Sequence, residues 1–273
     1  MVKDNVPNQG VICQCLNLLH VTTSRDKVLD YRAQKLFVGP SILMFVEAQL
    51  QQRSSYYVMA EHLTANKQFQ QMLKLSSISP SQLSRKMKQL PTQELQNLFF
   101  SLLNRIKELT QNKQGVTARI GKLKLLDSTE LTLPPILAKW AYCSASSRGV
   151  KMHTSLVVAD AQTMYPDKLI ATTKDVADHE VAIHFTVDED ATYVMDRGYQ
   201  VYEHFQYWTE NRIKFVARVK QNSRLRIVRE RELPRRKQGV VRDADVTLPN
   251  LSTTLRLIEF SDDRGRFYRL VTN

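Results

Sequence analysis

Glycine is scarce in this 273-residue chain: there are eight, and they are scattered. No two are separated by a single residue, which excludes the glycine-rich turn that binds dinucleotides. The stretch Gly115 to Leu123, GVTARIGKL, has one residue too many between its glycines for a phosphate loop, and it places Leu123 where a magnesium-binding hydroxyl belongs. Cysteine is scarcer still. Cys13, Cys15 and Cys143 form an odd, sparse set that builds no disulfide framework and suits a reducing cytosol. Cys13-x-Cys15 also lacks the second pair that a zinc site needs. Long apolar runs are missing too. The most apolar stretch, Leu36 to Leu50, is interrupted by Gly39-Pro40 and Glu47, whereas a membrane span takes roughly 20 apolar residues. The opening MVKDNVPNQG carries no net positive charge, and Gln14 and Asn17 break the apolar patch behind it, so no signal peptide is read. A cytoplasmic protein is expected.

What is present is an ordinary globular balance, 42% hydrophobic and 24% charged, in a length that suggests two domains. The charge is lopsided. Lys and Arg number 39 against 27 Asp and Glu, a net +12 with a pI near 9.6. Such an excess favours a polyanionic partner, nucleic acid first and an anionic membrane surface second.

The first 115 residues read as a helical domain. Gly39 is the only glycine between Gly10 and Gly115, and apolar residues recur at spacings of three and four, as in Leu43, Val46, Leu50 and Tyr57, Ala60, Leu63. In SISPSQLSRKMKQLP, Ser79 can cap a helix, Pro80 suits its first turn and Pro91 ends it. That short helix carries Arg85, Lys86 and Lys88 and could lie on DNA as the second helix of a helix-turn-helix; it could equally be a surface helix of a bundle.

From about Gly121 the period changes to short β-branched runs: Leu123–Thr129, Lys151–Asp160, Lys168–Thr173, Ala191–Asp196 and Lys214–Lys220. Helices are expected over Val176–Phe185 and Tyr199–Arg212. In the second, Tyr202, Phe205 and Trp208 make an apolar stripe suited to packing on a sheet. Residues 116–220 thus read as a mixed α/β core. Residues 221–273 alternate apolar and polar and turn at Asp262–Gly265, which predicts an antiparallel β region with a hairpin. Between Arg218 and Arg242 stand ten Lys/Arg and two Glu, more than a solvated edge strand needs and suited to a polyanion contact.

Two aspartates close apolar strands instead of sitting in solvated loops: Asp127 after KLKLL and Asp196 after TYVM. A carboxylate there is held rigidly yet faces a cleft, as a hard cation requires. From the residues alone two readings stay open. Either the acids cap the turns that follow, or, on neighbouring strands, they share magnesium for phosphodiester chemistry. Lys151-x-His153 could approach phosphate or simply pack. Asp178-His179-Glu180 reads as a helix start, because adjacent side chains point different ways and cannot converge on one ion. Ser128 has no histidine tied to it by a motif and is not read as a nucleophile.

The words around these acids carry a resemblance. LLDSTELTLP, GVKMHTSLVVAD and YVMDRGYQVYEHFQYWTENRIKFVARVK resemble the transposases of insertion sequences in the IS-four group. The resemblance implies an RNase-H-like core with flanking helices, an all-α domain before it and an antiparallel β insertion after it. It implies Asp127 and Asp196 as the first two acids of an Asp-Asp-Glu site for Mg²⁺ or Mn²⁺, nicking and joining DNA at transposon ends, in a homodimer on paired ends. Arg85, Lys86, Lys88, Arg197, Tyr199, Arg218, Lys220, Arg235, Arg236 and Lys237 are the expected contacts to double-stranded DNA. The family's third acid lies on a helix with Tyr, Arg, Glu and Lys at fixed spacing. No such pattern follows Asp196, and Glu230, Glu232 and Glu259 lack its context. The expectation is a form truncated before that acid. A non-catalytic DNA-binding or dimerising regulator, or a stand-alone nuclease, is the alternative.

Overall fold

A computed structural model of the chain describes residues 10–111, 121–134, 141–144, 147–233, 239–249 and 252–273. The chain divides into two compact units, residues 1–105 and 106–273. The division falls inside a helix, ahead of the expected boundary at 115.

The first unit is helical: α1 (Val11–Asn17), α2 (Val38–Leu50), α3 (Tyr56–Ala65), α4 (Lys67–Leu73), α5 (Pro80–Gln89) and the opening of α6 (Thr92–Thr110). Its core is built from the predicted three-and-four spacing, with Leu43, Met44, Met59, Leu63, Phe69, Leu73 and Leu83 buried together. The start of α5 forms as its sequence predicts: the Ser79 hydroxyl accepts from the Gln82 amide, Gln82 reaches back, and Pro80 takes the first turn. At Gly39 any side chain would collide with the Thr22 carbonyl, which is why α2 carries a glycine in its first turn. One feature lies beyond pattern reading. Asp30, 1% exposed, accepts from the amides of Val38 (2.8 Å) and Asp26 (3.0 Å) and from Lys86 Nζ (3.0 Å).

The second unit is a mixed sheet with flanking helices. Its strands are β1 (Lys122–Thr132), β2 (Tyr142–Ser144), β3 (Ser147–Val158), β4 (Met164–Thr173), β5 (Ala191–Met195), β6 (Lys214–Arg218), β7 (Arg226–Glu230), β8 (Val240–Thr247), β9 (Thr254–Ser261) and β10 (Phe267–Thr272). The hydrogen-bonded order is β2-β3-β1-β5-β6-β10-β9-β8-β7, with β4 also on β3. β1 pairs antiparallel with β3 and parallel with β5, and β5 pairs parallel with β6. β10 adds antiparallel to β6, so residues 221–273 extend the sheet of the core. β4 begins before the predicted run, at Met164; Pro166 is accommodated where the pairing with β3 shifts register.

One face of the sheet is covered by α7 (Asp178–Phe185), a 3₁₀ turn (Arg197–Tyr199) and α8 (Tyr202–Glu210). Of the apolar stripe on α8, Phe205 and Trp208 are fully buried and Tyr202 packs at the margin. Phe205 stacks on Phe215 with ring centroids 5.0 Å apart, and the Trp208 indole N–H donates to Thr186 Oγ1 at 2.9 Å. The opposite parity of the central strands carries Leu125, Leu156, Val194, Val216 and Leu270, all half-buried.

Candidate active site

In an open parallel sheet the carboxyl ends of neighbouring strands frame the crevice where ligands bind. The last residues paired between β1 and β5 are Leu126 and Met195, both buried; Asp127 and Asp196 are the next residue on each strand, and both are exposed. The two acids therefore leave the parallel ladder at the same level. Asp127 does not end its strand as the sequence suggests. β1 runs on to Thr132 paired with β3, and only its pairing with β5 stops at Leu126.

The two readings of these acids turn out to be compatible. Asp196 does cap the turn that follows: its Oδ1 accepts from the Gly198 amide at 2.8 Å. Asp127 Oδ1 accepts from the Ser128 amide at 2.8 Å. Each carboxylate is thus oriented by one backbone bond to its Oδ1. Tyr199 lies beneath the turn. It is 1% exposed, and its hydroxyl has no hydrogen-bond partner among the described residues. Burial first, then the charges of Asp178, Asp127 and Asp196, push that hydroxyl far above the ordinary phenol range. Tyr199 is therefore a core residue and cannot be the DNA contact expected of it.

The rest of the expected contacts separate in the same way. Arg197 and Lys220 line one open cleft of about 760 Å³ together with Asp196, His179, Gln200 and Asn222. Gln200 ties the cleft walls, accepting from the Lys220 amide (2.8 Å) and donating to Ser223 Oγ (2.8 Å); nothing in its sequence context marks it for this. Arg218 lies over the Tyr268 ring, 4.7 Å from its centroid. Arg85 and Lys88 are exposed on α5, but Lys86 is turned inward to the buried Asp30, so it is not available to DNA. Arg235, Arg236 and Lys237 lie outside the described residues. The basic excess of 218–242 is also partly neutralised by its neighbours on the sheet. Arg229 and Arg231 pair with Asp245, and Arg242 with Glu230 and Glu259. Arg224 and Arg226 are exposed and make no ion pair among the described residues.

Lys151 and His153 do not reach the cleft. Lys151 Nζ, nearly buried, donates to the Val176 carbonyl at 3.0 Å and lies 3.5 Å from Asp178. His153 is fully buried, shares a 2.9 Å hydrogen bond with Thr172 Oγ1, and is held below the ordinary imidazole range chiefly by that burial. Asp178 does start a helix, α7, as read. Glu259 is buried between Arg269 (2.7 Å) and Arg242 (3.2 Å), a cross-strand ion ladder on the sheet.

Asp127 and Asp196 suit a hard divalent cation: they are oxygen ligands, exposed, and oriented by the backbone. Magnesium commonly takes one or two carboxylates and keeps several waters. Among the described residues no group of three or more His, Cys, Asp or Glu side chains could hold a metal, so the pair is a partial ligand set.

The sequence profile of the family described as "Transposase DDE domain" matches residues 121–263, just over half of the chain, including β1 and β5, which deliver both acids. The chain belongs to this transposase family. A protein of Sinorhizobium fredii named as a candidate transposase, y4zB, is 36% identical over 122 residues, which are 43% of this chain and 32% of that protein. The chain thus spans about a third of the length of the relative it matches. No helix among the described residues is long and apolar enough to cross a membrane.

Proposed function

We propose that this transposase acts on DNA at transposon ends through an RNase-H-like core in which Asp127 and Asp196 are the first two acids. The observation that carries the reading is the shared level at which β1 and β5 deliver the two carboxylates. The sheet order, three antiparallel strands (β4, β3, β1) followed by two parallel ones (β5, β6), supports the RNase-H-like assignment, as does its resemblance to the IS-four group. Asp127 and Asp196 would hold Mg²⁺ or Mn²⁺. When bound, such an ion activates a water or 3′-hydroxyl and stabilises the leaving oxygen of a phosphodiester. The chain's own residues do the rest. The Oδ1 hydrogen bonds fix the two carboxylates, while Arg197 and Lys220 in the cleft, with half-buried Arg218 and exposed Arg224 and Arg226 beyond it, neutralise phosphates and set the DNA in register. A homodimer on paired DNA ends and a cytoplasmic location belong to the same reading.

A second reading draws on the partial ligand set: the chain binds DNA without cutting it, as a regulator of transposition. One experiment separates them. The purified chain is titrated with Mn²⁺, read by electron paramagnetic resonance, and then incubated with transposon-end DNA. We expect Mn²⁺ binding that Asp127→Ala and Asp196→Ala each abolish. Cleavage is expected only when a downstream segment bearing the Tyr-Arg-Glu-Lys helix is supplied, because placing the attacking and leaving oxygens in line needs a complete ligand set. Mn²⁺ binding that is indifferent to both aspartates would remove the active-site reading.

A further inference from the structure

Asp178 opens α7 on the covered face of the sheet, and the family resemblance gives it no role. Its surroundings are unusual for a helix start. Oδ1 is buried and makes no hydrogen bond among the described residues, though Lys151 Nζ and His153 Nδ1 each stand 3.5 Å from it. His153 Nδ1 is likewise buried without a hydrogen bond, and so is the Tyr199 hydroxyl. Buried polar atoms are normally satisfied, so this carboxylate oxygen, left open with His153 Nδ1 open beside it, marks a place that structure alone does not explain.

The other oxygen of Asp178 lies beside Gly198 and Asp196. A Cβ placed on Gly198 would stand 3.0 Å from Asp178 Oδ2 and 3.0 Å from Asp196 Oδ1. The two carboxylates therefore border the same point beside the Gly198 backbone, and these two oxygens are no farther apart than those two distances together. The Gly198 amide is the donor that orients Asp196. A side chain there would press on both carboxylates, each of which would have to give by a few tenths of an ångström.

We propose that Asp178 is a positioning residue for the acid pair: anchored by Lys151 and facing His153, it packs against Gly198 and so holds the turn that orients Asp196. This rests on the reading of Asp127 and Asp196 as the cation-holding pair. It adds a layer behind the ligands, of the kind whose loss typically costs 10- to 100-fold in metal affinity. Asp178 is not itself a ligand. It acts on Asp196 through the Gly198 backbone and through its negative charge beside the site.

Two readouts test it on the full chain. The first is hydrogen exchange of the Gly198 amide by NMR, without metal. The second is Mn²⁺ affinity by electron paramagnetic resonance. Asp178→Ala is expected to speed Gly198 exchange about tenfold, and Asp178→Asn to weaken Mn²⁺ binding about tenfold, at the low end of that range. Thermal unfolding should show both variants folded. Gly198→Ala should also weaken Mn²⁺ binding. Combined with Asp178→Ala it should cost less than the two losses together, because one of the two crowding oxygens is gone. Wild-type exchange at Gly198 in folded Asp178→Ala, or wild-type Mn²⁺ affinity in Asp178→Asn, overturns the proposal. If the unaltered chain binds no Mn²⁺, the cation-site reading falls, and Gly198 exchange still decides whether Asp178 holds the turn. If Asp178→Ala fails to fold, exchange in Asp178→Asn takes its place.

Discussion

The inward turn of Lys86 makes a prediction that separates stability from DNA contact at a single side chain. Asp30 and Lys86 are almost wholly buried, and the Asp30 carboxylate accepts three hydrogen bonds, from Val38 N, Asp26 N and Lys86 Nζ. Asp30→Ala strands a buried ammonium, a loss of about 3–5 kcal/mol for breaking a buried pair from one side. It also removes the acceptor for the first turn of α2, typically about 1 kcal/mol of capping, part of which is already inside that figure. Lys86→Met is milder, about 1–2 kcal/mol, because Asp30 keeps its two amide donors. Asp30→Ala with Lys86→Met should be less destabilised than Asp30→Ala alone, since no unpaired charge is left behind. The assay is urea unfolding followed by far-ultraviolet circular dichroism, which reports the helical unit. Both tryptophans, Trp140 and Trp208, lie outside residues 1–105, so their fluorescence reports the other unit separately. The same Lys86→Met protein should bind duplex DNA with an unchanged salt slope. A cost under about 1 kcal/mol for Asp30→Ala, or a shallower slope for Lys86→Met, would show that Lys86 spends its time outside the pair.

Three further outcomes are expected. Duplex affinity should fall steeply with salt, by about 0.9 in logarithmic slope per phosphate contacted; neutralising Arg197, Lys220, Arg224 or Arg226 should each flatten it, and gel shifts at several salt concentrations decide the matter. Thr186→Val should cost about 1–3 kcal/mol by leaving the buried Trp208 indole N–H without an acceptor, read as an earlier fluorescence transition in urea. His62, His153 and His204 are each held below the ordinary imidazole value near 6.5, in every case chiefly by burial. The unfolded chain therefore binds protons first, so stability is complete above that value and declines as pH falls through it toward the folded values. A urea midpoint that stays flat from pH 7 down to about pH 5 would contradict this.

How much of this was legible in the sequence differs by feature. The strands bearing Asp127 and Asp196 announce themselves because a buried strand needs a run of β-branched and apolar residues, and the acids stand out against that run. The α8 stripe is legible for a similar reason: Phe205 and Trp208 repeat at the helical period. Side-chain direction was less legible. Lys86 reads as a surface cation beside Arg85 and Lys88, and only the distant Asp30, 56 residues earlier, turns it inward. The basic run of 218–242 likewise conceals its partners, since Asp245 and Glu259 lie beyond it in the chain and meet it only across the sheet. Tyr199 sits in a word shared with the acid, yet its burial depends on the turn that Asp196 caps. Asp178 reads in the sequence only as a helix start, because it cannot converge with His179 and Glu180 on one ion; its neighbours, Lys151, His153 and Gly198, come from other elements.

The position of β10 has a consequence for assembly. It follows β7, β8 and β9 in the chain, yet it inserts between β6 and β9, so its pairing with β6 joins segments about 50 residues apart. During synthesis β6 would wait with one edge unpaired while the three earlier strands of the hairpin region emerge, and long-range pairings of this kind form slowly. An unpaired edge beside half-buried Val194 and Val216 is an invitation to foreign strands. The side chain of Asn273 closes that interval: it accepts from the Phe215 amide and donates to the Ile213 carbonyl, pinning the far end of β10 against the base of β6. Substituting Asn273 should therefore show itself less in the finished fold than in the yield of chains that reach it.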